Sequence, residues 1–231
     1  MSVKTPTPGS GRFSKIGQGL VVQPFSDSIG ILADEPLLES IVQALPPGWK
    51  TRETGEFLVR IELTQEGGSF VIRINTIVKA KANNLASALA RFLEELRLLI
   101  VLLEHQRFFV KARLLRHREA AVVVLGQFVA EVGLSECSAV AFDVNGRVTS
   151  LEAPGEPMEV VALAELAPST REPWENLGAA RAAASLFEAK LTPLREIGPW
   201  LDVIGDLAQA SLCLRMQPTP EAFELLRQRL G

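Results

Sequence analysis

The stretch Val110–Cys137, VKARLLRHREAAVVVLGQFVAEVGLSEC, decides how this chain is read. Phe108–Leu115 alternates and Ala120–Leu125 is a short apolar run rich in valine, so both read as strands. Arg116-His117-Arg118-Glu119 joins them as a turn, and Gly126 follows. A phosphate-cradling loop and its helix often begin at such a glycine, because backbone N–H groups can then point at phosphate. Here Gln127, Phe128, Val129 and Ala130 come next, with no lysine or hydroxyl at the required spacing. Ten residue steps separate Gly126 from Glu136. A phosphate loop, three helical turns at ~3.6 residues each and a return do not fit that span. The stretch therefore reads as the approach to such a loop without the residues of the loop itself.

Outward from this stretch the chain alternates strands and helices. Residues 1–12 carry Pro, Gly, Ser and Thr without periodicity and are expected to form a flexible tail. Asp34 followed by Glu35-Pro36 predicts a helix start, and Pro46-Pro47-Gly48 its end. Phe57–Leu63 and Ser69–Thr76 alternate around Glu66-Gly67-Gly68, which predicts a hairpin with Phe70, Ile72 and Ile74 inward. Asn83-Asn84 opens a long helix on which Leu85, Leu89, Phe92, Leu96, Leu99, Ile100 and Leu103 fall at helical spacing. Beyond the central stretch, Asn145-Gly146 marks a hairpin between Ala139–Phe142 and Arg147–Leu151. Val160–Leu163 reads as a further short strand. Trp174–Ala189 is predicted helical, with a stripe of Leu177, Ala180, Ala184 and Phe187. A second helix is expected after Gly198-Pro199, a strand over Ser211–Gln217 and a last helix opened by Thr219-Pro220-Glu221. The pattern is an α+β fold. It has a small N-terminal lobe of helix and hairpin with the long helix (13–105), then a central mixed sheet with hairpins and C-terminal helices (106–231). The two could also form one continuous domain.

Composition narrows the function. The chain has 231 residues, 47% of them apolar and 22% charged, so it can bury a core. A net charge of −3 argues against general nucleic-acid affinity. The longest purely aliphatic run, Leu98–Leu103, is far short of the ~20 residues that span a bilayer. The start, MSVKTPTPGSGRFSK, has no apolar core of a signal peptide, and Cys137 and Cys213 lie far apart. A cytoplasmic protein with free thiols used as core filler is therefore expected.

Few residues carry chemistry. Strand alternation puts Arg107, Phe109, Lys111 and Arg113 on one face and Phe108, Val110, Ala112 and Leu114 on the other. Cations with an aromatic between them suit a partly solvated groove for an acidic or extended ligand. An ordinary half-exposed strand gives the same pattern. His105 near a helix end and His117 in a turn, without an acid at ligand spacing, make no metal site. Ser135, Glu136 and Cys137 have no histidine near them for a nucleophilic triad. Glu136 and Asp143 form an acidic pair that binds Mg²⁺ poorly without phosphate contacts. No cofactor, metal or catalytic residue is expected.

The order of elements resembles the HPr serine kinase-like group, whose fold belongs with the phosphoenolpyruvate carboxykinases, from about Gly30 to the end. Lys111-Ala112 stands where that group has a His-Ala pair, and Val122–Gly126 where its strand enters the phosphate loop. Glu136 is the nearest match to its acidic motif, and Asp143-Val144-Asn145-Gly146-Arg147 resembles the hairpin after it. The closing SLCLRMQPTPEAFELLRQRL resembles the group's final strand and helix. The resemblance implies a truncated scaffold that has lost phosphoryl chemistry. It is similar to the peptide-binding proteins of crocagin-type ribosomal peptide biosynthesis. That implies a protein which holds a precursor peptide for a modifying enzyme of the same pathway, through Arg107, Phe109, Lys111 and Arg113. Two alternatives stand beside it: an enzyme acting on the peptide by acid–base cyclisation, or a homodimeric structural subunit without a small ligand.

Overall fold

The computed structural model describes residues 11–13, 19–117, 119–126, 138–168, 170, 172–193 and 197–230. The fold is α+β, with two mixed sheets of six and seven strands and five helices among the described residues. The chain divides into two compact units, Met1–Glu104 and His105–Gly231.

The first unit runs β1 (Gly11–Phe13), β2 (Leu20–Gln23), β3 (Ile29–Ala33), α1 (Glu35–Ala44), β4 (Lys50–Arg52), β5 (Gly55–Phe57), β6 (Val59–Glu66), β7 (Ser69–Ile74), β8 (Ile77–Ala82) and α2 (Leu85–Leu103). Its six-stranded sheet has the order β4-β2-β3-β6-β7-β8, in which only β3 and β6 are parallel. Gly67 and Gly68 both have positive φ, as a tight turn between β6 and β7 requires. Across that hairpin Leu63 faces Ile72, and both are fully buried. Val71 is buried with Ile72, while Phe70 and Ile74 are only half-buried. Side chains of this size contribute ~1.5–3 kcal/mol each when taken from water. Arg73 grips Glu66 with two bonds of 2.6 and 2.7 Å and, with Thr64, holds its carboxyl below the usual range. Asn84 Oδ1 accepts from the Ser87 N–H at 2.8 Å and caps α2. Helix α2 packs across β6, β7 and β8 and buries Ala88, Phe92, Leu96, Leu99, Ile100 and Val101.

Three expectations for this unit change. Gly11 and Arg12 belong to a strand that pairs with β5 rather than to the tail; residues 1–10 lie outside the described set. The single strand expected over Phe57–Leu63 is two, interrupted by a bend at Leu58, with the Phe57 ring against Gly30 of β3. Strands β2 and β3 carry almost no exposed residue, so they lack the alternation that reveals a half-buried strand.

The second unit runs β9 (Phe108–His117), β10 (Ala120–Leu125), β11 (Ser138–Phe142), β12 (Val148–Ser150), β13 (Glu159–Leu166), β14 (Trp174–Asn176), α3 (Ala179–Glu188), α4 (Trp200–Ala210), β15 (Leu212–Met216) and α5 (Pro220–Leu230). The sheet order is β12-β11-β9-β10-β13-β15-β14, with β10, β13 and β15 parallel. One face packs Phe108, Val110, Ala112, Val123 and Leu163 against Leu186 of α3 and Trp200 and Ile204 of α4. The opposite face packs Val122, Val124, Ala164 and Met216 against Ala222 and Leu226 of α5. A bridge between Val148 and Met158 brings the start of β13 back to β12, so the sheet curls on itself at that end.

The helix expected from Trp174 starts later. Trp174–Asn176 is an edge strand on β15, and Gly178, at φ +75°, separates it from α3. Pairing with β15 outweighs local helix propensity, and Arg229 stacks 4.2 Å over the Trp174 ring. The buried stripe of α3 is therefore Ala182, Ser185 and Leu186, with Ala180 exposed. His117 closes β9 instead of standing in the turn.

Candidate functional site

Period-two alternation along β9 places Phe109, Lys111 and Arg113 on the face away from α3 and α4. Lys111 is exposed, and Arg107 and Arg113 are half-buried. Phe109 is fully buried, so the open aromatic platform expected there is absent. Its backbone explains why: the N–H donates to Thr192 Oγ1 at 2.8 Å, and its carbonyl accepts from Leu191 N–H at 2.8 Å. On its other side Phe109 pairs with Ala141 of β11. The Lys111 N–H likewise donates to the Ala189 carbonyl at 2.7 Å. Residues 189–192 thus continue the ladder beside β9 where β10 ends, and β9 has no open edge there.

The two cations stand at a particular place in the sheet. Arg113 lies opposite Val124, two residues before Gly126. Gly126 has φ +114°, and a Cβ on it would sit 3.1 Å from the Leu166 carbonyl at the end of β13. This is the carboxyl end of the parallel strands, where sheets of this kind place ligands. Among the described residues neither the Lys111 ammonium nor the Arg113 guanidinium has an anionic partner. The Arg113 Nε is buried without a hydrogen bond. A guanidinium in that state favours an anionic or carbonyl oxygen.

On the other face of the sheet, toward α3, lies a charged cluster that sequence reading missed. Glu165 of β13 stands in register with Arg215 of β15 and bonds it at 3.1 Å. Ser185 Oγ of α3 donates to the second Glu165 oxygen, and Arg181 Nε lies 3.7 Å from that oxygen. The signal was one charge inside each of two otherwise apolar stretches, VALAEL and LCLRM. The short strand expected over Val160–Leu163 stops before Glu165.

Among the described residues few other side chains are placed for chemistry. Cys213 is a buried free thiol whose pKa is pushed up by burial, and its S–H points to the Ala208 carbonyl at 3.1 Å, so it is a poor nucleophile. Asp143 Oδ1 accepts from the N–H groups of Asn145 and Arg147 at 2.9 and 3.0 Å, which occupies it in shaping the hairpin turn. His105 is exposed. Among the described residues no three His, Cys, Asp or Glu side chains converge as metal ligands. Ser135, Glu136, Cys137 and the shortened span 127–137 lie outside the described residues. No described helix is long and apolar enough to cross a membrane. The chain matches no protein-family model, no curated protein and no solved structure.

Proposed function

We propose that this is a non-catalytic, cytoplasmic peptide-binding protein, a degenerate relative of the HPr kinase-like fold. It holds a ribosomally made precursor peptide and presents it to a modifying enzyme. The observation that carries the reading is the pair Lys111 and Arg113: two cations on one strand face without an ion-pair partner among the described residues, at the carboxyl end of the parallel strands. They suit a carboxylate or acidic stretch of an extended peptide lying across the face of β9. Half-buried Arg107 extends the stripe toward the start of β9. Phe109, being buried, supports the floor instead of touching the ligand.

The test is fluorescence anisotropy with a labelled, acidic precursor-type peptide. Charge-assisted contacts are worth ~1–3 kcal/mol each, so Lys111→Glu with Arg113→Glu should weaken binding at least tenfold. Binding should also weaken with salt, as the Debye length falls from ~10 Å at 0.1 M to ~3 Å at 1 M. Mass spectrometry of the peptide after incubation should show no change. Unaltered affinity of the double variant, with unaltered salt dependence, would falsify the assignment.

A further inference from the structure

Parallel strands β10 and β13 begin side by side, with Ala120 opposite Glu159 and Glu119 just before it. Neighbouring strands lie ~4.8 Å apart, so two carboxylates share one end of the sheet. The curl made by the Val148–Met158 bridge brings Arg147 to the same end. Together Glu119, Glu159 and Arg147 line an open cleft of about 750 Å³, with Ala120, Pro157, Val161 and Leu230 as its apolar lining. The volume is that of a small-ligand site, roughly 300–1,000 Å³.

The charges in this cleft are not spent on the fold. Neither Glu119, Glu159 nor the Arg147 guanidinium makes an ion pair with a described residue. The Arg147 backbone is nonetheless fixed, because its N–H is held by Asp143 Oδ1 at 3.0 Å. Two like charges lining one cleft repel, and a cationic group bound there relieves that repulsion. An unpaired guanidinium in the same concavity favours a carboxylate. Apolar lining beside opposite charges favours an aliphatic side chain.

We propose that this cleft binds a small zwitterion of the amino-acid type, a short peptide with free ends and an apolar side chain. Glu119 and Glu159 take the ammonium, Arg147 takes the carboxylate, and the side chain lies on Val161 and Leu230. The site is separate from Lys111 and Arg113 and does not depend on the precursor-peptide reading.

The experiment titrates the full chain with the dipeptide Leu-Leu to millimolar concentration and follows backbone amide resonances. Parallel titrations use N-acetyl-Leu-Leu, which lacks the ammonium, and Leu-Leu-amide, which lacks the carboxylate. Saturable shifts at Ala120, Glu159, Val161 and Leu230 are expected with Leu-Leu, and each blocked form should bind at least tenfold more weakly. Glu159→Gln should weaken the preference for the free ammonium, with Glu119 still present, and Arg147→Gln should erase the preference for the free carboxylate. Both positions are exposed, and the titrations of the unaltered chain decide the matter even if a variant folds poorly. The proposal fails if Leu-Leu gives no saturable shift, if shifts fall elsewhere, or if the blocked forms bind as well as Leu-Leu.

Discussion

A methyl group added at Gly30 has nowhere to go. A Cβ there would stand 2.7 Å from a ring carbon of Phe57, which is itself only 7% exposed. The ring must tilt or the strands must part, and overpacking of this kind costs ~1–3 kcal/mol. Gly30→Ala should therefore lower the urea midpoint of unfolding. The same change in a Phe57→Ala background should cost less than half as much, because the obstructing ring is gone. Strictly additive losses would show that Gly30 matters for some other reason. The contact was not legible in the sequence, where Phe57 reads as one more inward residue of a longer strand. Phe109 was misjudged for a similar reason. Its alternation with Lys111 and Arg113 is real, but its burial depends on Ala141 and on Thr192, far along the chain. Periodicity tells which side chains share a face, and distant partners decide whether the face is open.

Helix ends show which local signals can be trusted. Asn84 and Asp34 occupy equivalent positions before α2 and α1, and both are good capping residue types. Only Asn84 uses its side chain, on the Ser87 N–H. Asp34 makes no side-chain cap bond; its backbone carbonyl accepts from Leu37 and Leu38 at 2.9 Å. Asn84→Ala should cost about 1 kcal/mol, while Asp34→Ala should lie within a few tenths of the parent. Chemical denaturation of the two variants in parallel checks this, and equal losses would contradict the assignment of the caps. The hairpins over β6–β7, β9–β10 and β11–β12 and the long helix were legible because turn residues and periodicity agree there. The stretch from Trp174 was not, since its alanines favour a helix while the free edge of β15 takes Trp174–Asn176 as a strand.

Which strands lie beside which is a property of the whole molecule, and it was the least legible feature of all. That β13 and β15 are parallel neighbours, with Glu165 against Arg215 fifty positions away, cannot be read from either strand alone. Their pairing matters because the Glu165 carboxylate ties β13 to two other elements: Arg215 on β15, and Ser185 and Arg181 on α3. Arg215 in turn reaches Glu175 on the edge strand β14, at 3.6 Å. The Glu165 side chain is 16% exposed and that of Arg215 30%, so water screens the pair only in part. Removing Glu165 leaves half-buried Arg215 with only the more distant and exposed Glu175, which costs more than losing a surface ion pair. Glu165→Gln should destabilise the chain by ~1–3 kcal/mol. In a double-mutant cycle with Arg215→Met the coupling should be ~1–2 kcal/mol, since each change removes much of what the other would lose. Ser185→Ala should couple to Glu165→Gln as well, while Arg181, more exposed and more distant, should couple weakly. If urea unfolding finds Glu165 and Arg215 additive, the cluster does not hold α3 and β15 together, and the apolar faces on either side of the sheet carry that task alone.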